Sequence, residues 1–500
     1  MANATGATRR YVGLSLLSLL VAVFVAVAWT SPVTAGPYAE APMRYVTEGF
    51  TAEEHLQQQA ELSRRLGAEL PAAAMDRELR IRLTPDEVAA IERDARASVP
   101  LKIGLVKALA PGLELYGLSR GPQDRQPGRG TSGLAQRTSD GGYAWAALVT
   151  AEGAGAIRLH IEDMSLPRGA ELYFYSRDGQ AFGPYTDTGR NGTGEFWTET
   201  IFATEAILQL RVAGPSAERS LRDVTFRVVE AGLITPSFAG SLDITPQAPP
   251  PPGWPCGNAA CIVDATCVNT APAPDLKLAV AKMEWIQGAF IYTCTGGLIN
   301  DLNPSQDNFF LTANHCVSKN SNAQNVNFYW RFATSSCNAT SCPSNSGWPY
   351  QTSGSTVSKT GRKGDFSLLH LNAAPPSGSV VLGYNTTPVA NSNGIHLYRV
   401  SNPNFGPQVY SQHDVDTSAP TCSGWPRGER IYSRDITGAI DGGSSGSPIA
   451  NSTGQIVGQL SGTCGLNPSQ VCSSGPGEDN ATVDGAFAFY FSLVQPILAP

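Results

Sequence analysis

Six of the twelve residues in the run ITPQAPPPPGWP, residues 244–255, are prolines, and all ten cysteines of the chain follow it. Proline fixes φ and lacks an N–H, so consecutive prolines hold an extended polyproline II spacer with no core of its own. The chain must therefore fold as a cysteine-free part and a cysteine-bearing part on either side of that run. The cysteines are Cys256, Cys261, Cys267, Cys294, Cys316, Cys337, Cys342, Cys422, Cys464 and Cys472. An even count confined to one half is the pattern of a disulfide-stapled domain in an oxidising compartment. No paired CxxC spacing occurs and the histidines are scattered, so no metal site is expected.

The N-terminus agrees with that compartment. Arg9 and Arg10 precede an uncharged, largely apolar run from Tyr11 to Trp29, and Val33-Thr34-Ala35 offers small residues for cleavage after Ala35. Residues 1–35 thus read as an export signal. The alternative is a membrane anchor, because the run approaches the roughly 20 residues that span a bilayer. Under either reading the rest of the chain is secreted, periplasmic or anchored facing outward, with membrane contact confined to this segment.

Five hundred residues exceed a single core. A hydrophobic fraction of 42% against 15% charged fits a well-filled fold, and 51 glycines with 36 prolines favour strands and turns over long helices. A net charge of −7 supplies no basic field, so nucleic acid is excluded as a partner.

Upstream of the prolines two textures follow one another. Residues 36–140 form a helical and mixed region. Thr51-Ala52-Glu53-Glu54 and Thr84-Pro85-Asp86-Glu87 each set a hydroxyl three residues before an acid, the signature of a capped helix start. Between them Glu78 to Leu83 alternates polar and apolar, which predicts a strand. Residues 141–243 predict a β-sandwich-like domain, from alternation at Ala156–Ile161, an aromatic run Glu171–Tyr175, a turn at Asp178-Gly179, and strands around Phe196-Trp197 and Ala206–Val212. His160, in an apolar strand, is expected to be structural.

Three segments of residues 256–500 carry chemistry. In Phe310-Leu311-Thr312-Ala313-Asn314-His315-Cys316 an apolar strand runs into a histidine beside a cysteine. Cys294, in YTCTGGLIN, is the natural disulfide partner, and the staple would anchor a general base. Alone, the pair is equally what a structural histidine beside a staple gives. In Gly364-Asp365-Phe366-Ser367-Leu368-Leu369-His370-Leu371 an aspartate heads an apolar strand, where its carboxylate can orient an imidazole. An ordinary turn aspartate has the same look. In Asp441-Gly442-Gly443-Ser444-Ser445-Gly446-Ser447-Pro448 glycines flank a serine, and the N–H groups of Gly443 and Ser445 can face an oxyanion. The strand signals that follow oppose a Gly/Ser linker. His370, His396 and His413 are expected to be structural or solvated.

LTANHC, DFSLL and GSSGSP, in that order, resemble the chymotrypsin-fold serine peptidases, and CTGGLIN, SGSTV, DFSLLHLN and VGQLSG are similar to secreted bacterial lysyl endopeptidases and their relatives. The resemblance covers about residues 256–500, and the region upstream is similar to the pro-regions of such precursors. It implies a mainly β chain: a double β-barrel with the site between barrels, behind a β-sandwich-like pro-region with a short helical N-terminal part. His315, Asp365 and Ser445 take the triad roles, and Gly443 with Ser445 the oxyanion hole. The family disulfides map onto Cys294–Cys316, Cys267–Cys337 and Cys261–Cys464. Ser444 replaces the aspartate that trypsin-like zymogens pair with a new N-terminus, so that switch is not expected. Ala439 replaces the acid at the floor of the primary pocket. Lysyl endopeptidases place an aspartate later, where Thr482 stands here with Asp484 two residues on. Ser461 and Gly462 complete the candidate pocket. Without a pocket carboxylate, a lysine or arginine side chain lacks a charge partner, and basic specificity is not expected.

The expectation is a secreted serine endopeptidase made as a precursor, acting on protein or peptide substrates without metal or organic cofactor. A non-catalytic binding or adhesion protein on the same scaffold is the alternative. Retention of residues 141–243 as a targeting module is a further one.

Overall fold

The capping logic at Thr51 and Thr84 is present in full. Thr51 Oγ1 accepts from the Glu54 amide at 3.2 Å while Glu54 reaches back to the Thr51 amide, and Thr84 and Glu87 repeat the exchange. These boxes start α1 (Ala52–Glu69) and α2 (Pro85–Ala95). The computed structural model describes residues 38–44, 50–95, 98–120, 133–240, 259–302, 307–339, 341–346, 348 and 350–500. The expected export signal and the proline run lie outside the described residues.

Strand β1 (Met43–Arg44) comes first, then β2 (Met75–Arg82), β3 (Leu101–Tyr116), β4 (Tyr143–Glu152), β5 (Ala156–Ser165), β6 (Ala170–Tyr175), β7 (Ala181–Tyr185), β8 (Glu205–Val212) and β9 (Thr225–Ile234). One sheet runs β7-β6-β8-β4-β2 and the other runs β5-β9-β3. Alternation on β4 explains the layering. Trp145, Ala147 and Val149, with Phe174 and Leu208 of the same sheet, pack against Leu159 and Phe226 of the other, while Ala146 faces out under Leu66 of α1. This is the sandwich the sequence predicts. The division expected near residue 140 is not a boundary between sheets, because β2 pairs in parallel with β4, and β3 pairs with β9.

Downstream lie a seven-strand half-barrel and a closed six-strand ring. The first comprises β10 (Val280–Gln287), β11 (Phe290–Leu298), β12 (Phe309–Ala313), β13 (Asn327–Trp330), β14 (Gln351–Ser353), β15 (Ser355–Gly361) and β16 (Phe366–Leu371). Pairing runs β14-β13-β10-β11-β12-β16-β15, and Gly354 at φ +79° turns β14 into β15 without a ladder between those two strands. The second comprises β17 (His396–Ser401), β18 (Val409–Val415), β19 (Arg430–Thr437), β20 (Pro448–Ala450), β21 (Gln455–Cys464) and β22 (Ala481–Ala486), paired β17-β18-β19-β22-β21-β20-β17. The chain is therefore mainly β and carries the double barrel. α3 (Phe487–Leu498) seals the seam, with Tyr490 stacked on Phe366 at 4.1 Å and Val494 packed among residues of both barrels.

The two halves of the chain share one sheet. β3 pairs antiparallel with β11, Leu101 opposite Thr293 and Leu105 opposite Phe290. Leu101, Ile103, Phe202 and Ile234 from upstream close one apolar cluster with Ile286, Ile291, Tyr329 and Phe405. At the other end β1 pairs with Val380–Val381, and Tyr38 packs on Phe491 of α3.

Among the described residues four disulfides form. Cys294–Cys316 and Cys267–Cys337 are as the resemblance implies. Cys261–Cys464 is not formed: Cys261 joins Cys472, and Cys464 joins Cys422. The reason is packing. Cys464 ends β21 under Trp425 and Tyr432, whereas Cys261 lies with Ile262, Val409 and Val471.

Candidate active site

β12 delivers His315 to the rim of the first barrel, and Cys316 is tied back to Cys294 in β11. Asp365 sits at the head of β16 and grips His315 twice. Oδ1 accepts the His315 amide at 3.0 Å, and Oδ2 lies 2.8 Å from Nδ1. A carboxylate so placed holds the imidazole proton on Nδ1 and leaves Nε2 as the acceptor. Nε2 is buried and has no hydrogen-bond partner among the described residues. Asp365 is fixed in turn from the second barrel, since Gln459 Nε2 donates to the carbonyls of Gly364 and Asp365 at 2.8 and 2.9 Å. Tyr490 donates to Gln459 Oε1; burial, with the Asp365 charge nearby, holds that phenol well above its ordinary pKa.

The Asp441–Ser447 turn plugs into the first barrel beside β12. Thr295 donates its amide to the Ser445 carbonyl and its hydroxyl to the Gly443 carbonyl, both at 2.8 Å. A Cβ on Gly446 would lie 2.2 Å from Thr312 Oγ1 and 2.8 Å from the Ala313 amide, so only glycine permits this approach. Ser445 is thereby docked against the strand that ends two residues before His315. The turn is already shaped. Ser444, fully buried, meets Ser401 Oγ at 3.0 Å, and Asn404 donates its amide to the Gly442 carbonyl at 2.7 Å. Among the described residues the amides of Gly443 and Ser445 donate to nothing, which leaves two N–H groups free for an oxyanion.

The expected pocket residues fare unevenly. Ala439 is buried against Ile262 and Val409. Ser461 is buried with its hydroxyl unpartnered, and Gly462 lies near Trp425. Asp484 is no free pocket charge: it is fully buried and paired with Arg399 at 2.5 Å, whose Nη1 also donates to Ser447. Thr482 is fully buried and donates to Asp435 Oδ1 at 2.7 Å.

Asp435, on β19, is the residue that sequence reasoning missed. Its Oδ2 is buried without a partner, and its Oδ1 lies 2.8 Å from His413 Nδ1. Arg399 Nε and the Ser411 hydroxyl both approach His413 Nε2, at 3.5 and 2.8 Å, which leaves Nδ1 to donate to Asp435. Arg399 pairs with Asp484, and among the described residues Asp435 meets no lysine or arginine. A carboxylate thus stands beside Thr482, on the neighbouring strand β19. The signal lay in SRDIT, but only the pairing of β19 with β22 brings it to the site.

The remaining histidines are structural or solvated as expected, His413 being fully buried in β18. His160 lies between Glu230 and Glu195 and stacks on Trp197 at 4.6 Å. Ligand atoms of Cys294, His315 and Cys316 lie close together, but both sulfurs are committed to their disulfide.

A half-barrel and a closed barrel, with a carboxylate-held histidine beside a glycine-flanked serine turn, define the chymotrypsin-like class. More particularly, residues 257–474 match the model of the lysyl endopeptidase C-terminal domain. A lysyl endopeptidase of Pseudomonas aeruginosa is 29% identical over 249 residues, 49% of this chain and 52% of that protein. The chain thus spans about half the length of this curated relative. Among solved structures, the Rv3671c protease of M. tuberculosis in its active form is 18% identical, covering 49% of this chain and 93% of that one, with a TM-score of 0.32. The HtrA-type protease AlgW with a tripeptide is 12% identical, covering 45% and 62%, with a TM-score of 0.33.

Proposed function

We propose that the chain is the precursor of an exported serine endopeptidase. The observation that carries this reading is the His315–Asp365 pair packed beside a serine turn with two free amides. Ser445 Oγ attacks the scissile carbonyl as His315 Nε2 takes its proton. The Gly443 and Ser445 amides hold the oxyanion, His315 returns the proton to the leaving amine, and water repeats the sequence on the acyl-enzyme. Four disulfides among the described residues suit an oxidising compartment. No described helix is long and apolar enough to cross a membrane.

The upstream half supports a pro-region that must leave. Cβ atoms built on Gly442 and Gly443 would lie 3.1 and 3.5 Å from the Leu101 side chain, so β3 enters the cleft at the oxyanion turn. Since that turn is already formed around Ser444, latency comes from covering the site.

Substrates are proteins or peptides with lysine or arginine before the scissile bond. The Asp435 carboxylate, reached past Thr482, supplies the counter-charge, and the relative's name as a lysyl endopeptidase agrees. A peptide-library digestion by wild type, Ser445→Ala and Asp435→Asn tests both parts. Ser445→Ala should lose essentially all turnover, about 10⁴-fold or more. Asp435→Asn should keep turnover and lose basic preference roughly 100-fold. Equal digestion by wild type and Ser445→Ala sinks the nucleophile; an unchanged profile in Asp435→Asn sinks the pocket assignment.

A further inference from the structure

Arg158, on β5, has no exposed surface, and its main partners belong to the first barrel. Nη1 lies 3.0 Å from Glu284 Oε1, and Nη2 donates to the Asn325 carbonyl at 2.9 Å. Nε donates to the upstream Thr198 carbonyl, also at 2.9 Å. Glu284, equally buried, accepts in addition from Thr200 Oγ1 at 2.7 Å, the Tyr329 hydroxyl at 2.8 Å and Asn327 Nδ2 at 3.4 Å. Arg158, Thr198 and Thr200 lie upstream of the proline run; Glu284, Asn325, Asn327 and Tyr329 lie downstream. The barrel alone therefore presents a carboxylate and a carbonyl, acceptors that a guanidinium needs.

Adhesion does not explain this pair. The surrounding apolar cluster already joins the halves, and a buried ion pair is often no more stabilising than apolar side chains of the same volume. Lys282, two residues along the same face, does not satisfy Glu284. Its ammonium donates to Asn345 Oδ1 and the Phe405 carbonyl beneath the Phe332 and Phe405 rings, and burial holds its pKa well below the ordinary value.

Position supplies the reason. Glu284 is the cross-strand partner of Thr293, and Thr293 is the partner of Leu101. Cross-strand partners project from one face, so Leu101 and Glu284 share a face two strand spacings apart, about 10 Å. Leu101 also lies against Gly442 and Gly443. From there β3 leads away from the nucleophile turn, as the residues after a scissile bond would. We propose that Glu284 is a subsite for an arginine side chain of the substrate, on the leaving-group side of the scissile bond, and that Arg158 fills it in the precursor. The proposal rests on the peptidase reading above. An arginine in the register of Leu101 reaches Glu284 across Thr293 once the upstream half has left.

The test offers the processed, secreted enzyme peptides that differ only in arginine or citrulline, its uncharged isostere, at the first or second residue after the scissile bond. Arginine should raise kcat/KM roughly tenfold over citrulline at one of these positions. The preference should vanish in Glu284→Gln and shrink in Tyr329→Phe, which keeps the carboxylate. No preference in wild type, or an undiminished one in Glu284→Gln, overturns the subsite. Failure of wild type to cleave any peptide would instead count against the peptidase reading. The subsite is then judged on the full-length chain: methylguanidinium should raise the Tm of Arg158→Ala but not of Arg158→Ala/Glu284→Gln, and an equal response in both overturns it.

Discussion

The two barrels are filled differently. The first is packed with Met283, Trp285, Leu298, Phe310, Phe328, Trp330 and Leu369, three of whose rings meet edge-on or stacked at 5.1–6.2 Å. The second is apolar at one end, around Leu397, Ile431, Ile449 and Val457, and ionic at the other, where Arg399, Asp484, His413 and Asp435 are buried together. The difference separates two tasks. A close-packed apolar interior tolerates little displacement, which suits a mount for His315 and Asp365. An ionic interior is sensitive to charge. Because Arg399 donates to the Ser447 carbonyl, that sensitivity reaches the turn carrying Ser445.

Substitutions can break this comparison, and the largest effect belongs to the mount. Asp365→Asn should preserve the fold, allow the wrong imidazole tautomer and lower kcat by about 10⁴ in a peptide assay. A modest loss would mean that His315 is oriented without Asp365. The next effect belongs to the ionic end. Arg399→Met leaves Asp484 buried without its cation and should cost about 3–5 kcal/mol in denaturant unfolding. Adding Asp484→Leu should recover most of that loss. Absence of recovery would show that the cluster acts as one unit, with Asp435 inside it.

The smallest effect lies at the rim of the first barrel. Burial first, then the neighbouring Asp307 charge, pushes the Asp301 carboxyl up to about 6. An unfolded carboxyl titrates near 3.9, so the folded state holds the extra proton, and its contribution is lost as pH rises from about 4 to 6. Asp301→Asn should therefore raise Tm by roughly 2–4 °C at pH 7 and leave it unchanged at pH 4, measured by calorimetry. A gain at both pH values would point to packing instead of charge.

What could be read beforehand followed how local the signal was. His315, Asp365 and Ser445 each sit in a short segment with its own strand or turn grammar, and both capped helices were announced within four residues. Asp435 was invisible because its meaning depends on Thr482, 47 positions away. Cys261 and Cys464 were misassigned for the same reason: a thiol's partner is decided by which strand ends meet. β3 was hidden by Pro111-Gly112, which reads as an interruption. In the structure the strand continues past them with a register shift opposite Val228 and Glu230, as prolines and glycines in strands often require. Nothing in the residues around Glu284 points to its partner, which only the fold reveals as Arg158.

Two of the grips by which the upstream half holds the barrels lie far apart in sequence: residues 38–44 against Val380–Val381 and α3, and residues 101–105 against β11 beside the Arg158–Glu284 pair. Mechanically it is a bivalent ligand that happens to be covalently attached. If one grip opens, the other keeps its counterpart nearby at an effective concentration on the order of millimolar, so reclosure outruns escape. Severing the proline run removes the leash and leaves both hands closed. If the upstream half leaves as proposed, its departure depends on a second event, whether another cut between the grips or competition for one of them.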